Sequence, residues 1–404
     1  MTRHAPFDVS LALARDPYRF VSRQARGCDG DAFTARLMLR KTVFLTGPAA
    51  ARHFYSDAFH RAEAAPLFLK LTLFGRGGVQ GLDGPDHRAR KALFLRLVGP
   101  DRVSELTDRV RRGLDRLSGR IAVQDAAERV LTRAVCDWAG VPLPDHELGR
   151  RTRMLSELFE HAVPVSPSVL GGITARRAAD DWAERLIAAV RSGDLSPPPN
   201  TALREIALWR DPAGRRLPPR TAAVELLNVL RPTVAISAFV TFLVHAMHAH
   251  PDVAEQMRTA PDATRDRIPD IVQEVRRTAP FFPMLIARAR RDTDWDGVPI
   301  PAGTPTVLDI WGTNRDARAW AAPGRFSPDR FHDWRGDAFT LIPQGGGDHA
   351  TGHRCPGEWF TKGIMEEVAR WLAARDWQVP PQDLTLDMTS LPGLPRDRML
   401  IDLA

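Results

Sequence analysis

A chain of 404 residues, 44% hydrophobic and 26% charged, has the make-up of one large globular protein, which excludes a disordered or fibrous class. The formal charge of +7 comes from arginines scattered among acids, with lysine only at Lys41, Lys70, Lys91 and Lys362. No basic stripe interleaved with aromatics marks a nucleic-acid partner, and no unbroken run of about 18 apolar residues marks an integral membrane segment.

The opening stretch, Met1 to Pro6, lacks the apolar core of a signal peptide, which points to the cytoplasm. Short β-prone pieces follow in the first 50 residues, notably 42–46 running into a Gly47-Pro48 turn. From about residue 100 the pattern becomes helical, with helices expected over 126–138 (stopped by Gly140 and Pro142), 173–191, 221–250, 269–278 and 359–375. Strands are expected over 305–310, 384–388 and 398–403. Pro-rich pieces such as Ser196-Pro197-Pro198-Pro199 are short turns, not interdomain linkers. The fold class is therefore mainly α, a single large helical domain over 1–404 with small β-sheets at the two ends of the sequence.

Three cysteines, Cys28, Cys136 and Cys355, are too unevenly spaced for a disulfide framework or a zinc site. Cys355 stands apart from the other two. It ends the loop Gln344-Gly345-Gly346-Gly347-Asp348-His349-Ala350-Thr351-Gly352-His353-Arg354-Cys355-Pro356-Gly357, just before a helix. Flanking cations and a helix N-terminus favour thiolate over thiol, which suits an anionic ligand or nucleophile. A half-buried structural cysteine is the plainer alternative.

Glu274 and Arg277 lie three apart on a helix and can pair on one face. Phe326-Ser327-Pro328-Asp329-Arg330-Phe331 adds an arginine about 25 residues before the cysteine. Taken in order, Glu274 with Arg277, then Arg330, then His353-Arg354-Cys355-Pro356-Gly357 resemble the signatures of the cytochrome P450 superfamily. The resemblance implies a cytochrome P450 fold, with haem b buried between the long central helix and the cysteine loop. It makes Cys355 the axial thiolate of the haem iron, a ligand that favours O–O cleavage. It makes His353 a haem propionate partner, and Glu274, Arg277 and Arg330 a network that holds the fold.

Further upstream, His87 and Lys91 are four apart in a helical stretch and can direct two donors at one carboxylate. By resemblance they take the place of a Trp and an Arg that contact the haem propionates. A solvent-facing basic turn is the alternative. Near the middle of the 221–250 helix stands Arg231-Pro232. Proline there removes a backbone hydrogen bond at a cost of about 3 kcal/mol, and a buried arginine needs an anion. An internal pair with an acid is one answer, but Glu225 is six residues away and off the same face.

Ordinary cytochromes P450 carry an acid–threonine pair at this point, a proton relay to dioxygen, and here it is absent. The Arg-Pro pair, the Gln-Gly-Gly-Gly loop, Gln80-Gly81-Leu82-Asp83-Gly84 and Trp138-Ala139-Gly140-Val141-Pro142-Leu143 resemble the bacterial fatty-acid peroxygenases of the superfamily. That resemblance implies a long-chain fatty acid as substrate and hydrogen peroxide as oxidant, with no redox partner. Arg231 would hold the fatty-acid carboxylate, which would act as general acid/base toward peroxide, and Pro232 would aim Arg231. Products would be 2- or 3-hydroxy acids. Phe74, Val79, Gln80, Phe281 and Phe282 would line the alkyl chain, with ordinary core packing as the alternative. Glutamine at Gln80 resembles the hydroxylating members, and members with histidine there tend toward decarboxylation to terminal alkenes. Two other readings compete: a monooxygenase fed by a redox partner, and a non-catalytic haem-thiolate sensor.

Overall fold

The stretch 219–249 is the most apolar part of the chain, and it forms the centre of the molecule. In the computed structural model, which describes residues 8–160, 169–259 and 267–404, it is flanked by the helices Val123–Ala139 and Val169–Ser192. The opening Met1-to-Pro6 stretch lies outside the described residues. Leu226, Leu227, Leu230, Val234, Phe239 and Leu243 are wholly or almost wholly buried in this helical core. Pro219–Ala249 is long and apolar enough to cross a bilayer, with mean hydropathy 1.7, yet 94% of that window is buried inside the protein. Its apolar surface is already used by the core.

The single helix expected over 221–250 is two, Pro219–Val234 and Ile236–Ala249, joined at Ala235. Pro232 has no N–H for the ladder, and the Thr233 hydroxyl turns back to donate to the Val229 carbonyl at 2.8 Å. The local distortion comes out three residues later. There Ala238 N–H donates to Ala235 O at 3.2 Å, a tighter turn than the α ladder makes.

The helix expected over 126–138 runs Val123–Ala139 and ends on Gly140 in the left-handed region (φ 71°). Helices also occur before residue 100, at Ser10–Arg15, Phe20–Gly27, Pro48–Phe54 and Gly84–Val98, where only a local helical stretch around His87 was expected.

Strands are not confined to the two ends of the sequence. A five-stranded sheet runs in the order Ala32–Leu37, Arg40–Leu45, Pro305–Asp309, Met284–Ala289, Phe59–His60. Arg40–Leu45 pairs in parallel with Pro305–Asp309, setting Phe44 beside Val307, and antiparallel pairing sets Phe33 beside Phe44 with ring centroids 4.9 Å apart. A smaller sheet joins Gly119–Ala122, Leu400–Leu403 and Trp377–Gln378. The strand expected over 384–388 does not form. Its only pairing is an isolated bridge between Leu386 and Pro395, because no neighbouring strand offers a longer ladder.

Candidate active site

Cys355 is presented by an irregular loop that leads into the helix Glu358–Ala373. Gly345 (φ 91°) and Gly347 (φ 79°) adopt left-handed conformations that few other residues tolerate, and Gly346 N–H donates to the Tyr55 hydroxyl at 2.8 Å. The loop closes on itself where Cys355 N–H donates to Gln344 O at 3.1 Å. The expected bias toward thiolate is outweighed here. Burial pushes the Cys355 thiol up, while the Gly357 amide, Lys91 and Arg276 pull it down. A buried thiol of this kind gives up its proton when a metal ion takes the proton's place.

The basic flank is also less free than its composition suggests. Arg354 Nε donates to Glu358 Oε2 at 2.5 Å, and Arg276 reaches the other oxygen of Glu358. Arg276 also donates to Gln344 Oε1 at 3.0 Å, and Gln344 Nε2 in turn donates to Thr361 Oγ1 at 2.9 Å.

His353, His87 and Lys91 line one cavity together with Cys355. The His353 and His87 rings lie 4.0 Å apart, and His353 Nε2 is 3.3 Å from Asp83 Oδ1. Burial raises Asp83, but His353 and the amides of Ala62 and Arg61 more than offset it and hold the carboxyl well below its usual range. Burial, then the charges of His353 and Lys91, pull His87 down to about 3. Lys91 is brought down to about 8, again by burial, and its ammonium donates to the Arg354 carbonyl. An ammonium has three hydrogens to give, so this buried cluster favours an anion.

Arg231 enters the cavity from the central helix, 6% exposed. Its Nη2 lies 3.4 Å from Asn228 Oδ1, its Nε has no partner, and among the described residues no acid pairs with it. Burial, then the charge of Arg176, pull Arg231 down to about 9. A guanidinium does not release its proton in a protein, so the pull amounts to a demand for an anion. Glu225 does not meet that demand, because its carboxylate faces Arg90 at 2.6 Å. Pro232, Phe74, Val79, Gln80, Phe281 and Phe282 line this cavity of about 310 Å³ together with Arg231 and Cys355.

A second, more apolar cavity of about 400 Å³ shares Phe74, Gln80, Phe282, Leu285, His353 and Leu391 with the first. Sequence reasoning missed Asn228 on the cavity wall. Its signal was a lone amide one turn before Arg231 on an otherwise apolar face. It also missed Phe94, Val98 and Phe239, which look like any core residue until the fold turns them inward.

Away from the cavity, Glu274 and Arg277 are fully buried and joined by two hydrogen bonds of 2.7 Å each. Arg330 Nε lies 3.3 Å from Glu274. Arg277 also donates to the carbonyls of Asn314 (3.1 Å) and Pro323 (2.9 Å), so the pair ties its helix to the segment that leads to the cysteine loop.

The residues present fit a haem. Among the described residues no group of three or more His, Cys, Asp or Glu side chains could hold a metal ion, so a metal at Cys355 would bring its other ligands with it. The cavity wall is rich in Phe, Val, Leu and Ile, and His87, Lys91 and His353 cluster on it apart from the Arg231, Asn228 and Gln80 group on and beside the central helix. A flat, apolar, metal-bearing ring with carboxylates on one side matches that distribution.

Comparison with known proteins agrees. A family model described as Cytochrome P450 matches residues 238–394. Cytochrome P450 71D18 of Mentha gracilis is 34% identical over 131 residues, which is 31% of this chain and 26% of that protein. Cytochrome P450 71A8 of Mentha piperita gives a similar match, so the alignment spans about a quarter of the length of these curated relatives.

Solved structures match over the whole chain. A point variant of cytochrome P450SP alpha (CYP152B1) has a TM-score of 0.94 and 44% identity, covering 98% of this chain and 99% of that one. Cytochrome P450EX alpha (CYP152N1) with myristic acid has a TM-score of 0.95 and 42% identity, covering 100% and 99%. A variant of cytochrome P450 OleT in complex with arachidonic acid has a TM-score of 0.95 and 33% identity, covering 100% and 98%.

Proposed function

The chain belongs to the cytochrome P450 superfamily, in its CYP152 group, and from that premise we propose that it hydroxylates long-chain fatty acids at Cα, Cβ or both with hydrogen peroxide as oxidant. The observation that carries this reading is the buried Arg231 guanidinium, unpaired with any acid among the described residues, in the same cavity as Cys355. Two of the matching structures hold myristic and arachidonic acid, which supports an anionic head group on a long apolar tail as the ligand.

Bound through Cys355, with His353, His87 and Lys91 at its carboxylate edge, haem b would supply the activation of peroxide. Arg231 would take the substrate carboxylate through charge-assisted hydrogen bonds, since its Nε is free to donate. The central helix offers Arg231-Pro232 where an acid–threonine pair would otherwise move protons. The anchored carboxylate then serves as general base and general acid toward hydrogen peroxide, so no redox partner takes part. With the head group fixed at Arg231 on the central helix, Cα and Cβ would be the carbons held nearest the haem pocket. The tail follows Phe74, Phe281 and Phe282 toward the second cavity. Decarboxylation to terminal alkenes would be a minor channel with glutamine at Gln80.

The test mixes purified haem-loaded protein with a long-chain fatty acid and hydrogen peroxide, without reductase or nicotinamide cofactor, and reads products by mass spectrometry. Rapid formation of 2- or 3-hydroxy acids is expected. Product only when a reductase and its reduced cofactor are supplied would replace this reading with an electron-fed monooxygenase.

A further inference from the structure

Glu225 is fully buried in the central helix, and each of its carboxylate oxygens has a donor. Arg90 Nη1 donates to Oε1 at 2.6 Å, and Asn228 Nδ2 donates to Oε2 at 2.9 Å. Ion pairs of this depth add little net stability compared with apolar packing, so stability alone does not account for one placed a turn from the cavity.

Its consequence lies in hydrogen-bond polarity. An ionised carboxylate only accepts, so the Asn228 amide must turn its NH₂ toward Glu225. That leaves Asn228 Oδ1 facing Arg231 Nη2 at 3.4 Å. Asn228 Nδ2 also donates to Gln80 Oε1 at 3.2 Å, so Gln80 keeps its own NH₂ free for the cavity it lines.

The loop that carries Gln80 is drawn to the same point. Arg90 Nη1 also donates to Gly77 O at 2.9 Å. A Cβ at Gly78 would come within 2.9 Å of Gln80 Oε1 and 3.0 Å of Asn228 Nδ2, so glycine there leaves these two amides room to meet.

We propose that Glu225, held by Arg90, is a positioning residue: it fixes which way the Asn228 amide faces, and through Asn228 it orients the Arg231 and Gln80 head groups that receive the substrate carboxylate. This deepens the functional reading above and rests on it for the identity of the substrate. It assigns Glu225 no contact with substrate.

The test is Glu225→Gln in the haem-loaded enzyme. The substitution keeps shape and hydrogen-bonding capacity but lets the Asn228 amide face either way. Fatty-acid binding, read from the haem spectrum, is expected to weaken about tenfold, the effect of one mispositioned charge-assisted hydrogen bond. The ratio of 2- to 3-hydroxy product should shift several-fold at equal haem content. A fatty alcohol of the same length should bind both enzymes alike.

Partial misfolding would lower the amount of active enzyme but would leave affinity and product ratio at wild-type values. Asn228→Leu, which needs no buried partner, should reproduce both shifts. Wild-type affinity and product ratio in Glu225→Gln overturn the proposal. So does a crystal structure of that variant with the Arg231 and Gln80 head groups unmoved, whatever the enzyme turns over. A wild-type enzyme inert toward fatty acid and peroxide overturns the functional reading instead, and the variant's crystal structure then decides the positioning by itself.

Discussion

Arg231 and Cys355 line one cavity, the first from the central helix and the second from the loop before the last long helix. Replacing Arg231 with leucine removes a costly buried cation, so folding and haem loading should survive. Fatty-acid turnover should fall by roughly 10- to 100-fold, the worth of charge-assisted bonds to a carboxylate. Steady-state kinetics of Arg231→Leu at matched haem content check this. Undiminished turnover would remove Arg231 from the mechanism.

Gln80 meets the Asn228 amide at 3.2 Å and faces both cavities. Histidine at this position changes the hydrogen bonding presented to a bound carboxylate. In Gln80→His the alkene share of the products should rise severalfold at the expense of the hydroxy acids, as gas chromatography of the product mixture would read. An unchanged distribution would show that this side chain does not choose the channel.

Glu274 and Arg277 are both 0% exposed and pair through two parallel contacts. Glu274→Gln leaves a buried guanidinium without its counter-charge, which costs roughly 3–5 kcal/mol. Chemical denaturation should show that loss, and haem retention should fall with it because the pair braces the approach to the cysteine loop. A midpoint equal to wild type would mean that backbone carbonyls alone satisfy Arg277.

Asp309 is 1% exposed, and burial pushes its carboxyl up to about 7 although Gly312 N–H and the Thr46 hydroxyl donate to it. A folded pKa above the unfolded one means that the native state holds a proton the unfolded chain releases. This contribution to stability is full below about pH 4 and is lost as pH rises toward 7. Asp309→Asn mimics the protonated acid: its carbonyl can accept from Gly312 and its NH₂ can donate to Thr46. Its melting temperature should fall less steeply between pH 4 and 7 than the wild type's, with a gap on the order of a few °C at neutral pH. Parallel curves would place the titration elsewhere.

Local rules made much of this legible in the sequence. Gly140 had to end its helix because a left-handed residue closes the last turn, and the loop ahead of Cys355 stood out against the helix that follows it. Arg231-Pro232 stood out as an expensive pair in an apolar run. What escaped depended on partners far along the chain. The sheet pairing of Val43 with Thr306 joins segments that no local pattern connects. The alternating Leu384-Thr385-Leu386-Asp387-Met388 reads as a strand, but the segment beside it, 394–396, offers a single bridge at Pro395. Arg354 looked free beside the cysteine, but Glu358, the first residue of the following helix, takes up its charge. The break at Ala235 appeared three residues after the proline that causes it.

The wall shared by the two cavities has a consequence for the diversification of this enzyme. Phe74, Gln80, Phe282 and Leu285 bound both the chamber that Arg231 enters and the more apolar one beside it, where the proposed function puts the head group and the tail. A mutation at any of them that admits a longer acid also moves the floor on which the reacting carbons rest. Chain-length preference and regiochemistry are therefore inherited together, and breeding one without the other requires changes confined to a single chamber, such as at Phe239 or Phe68.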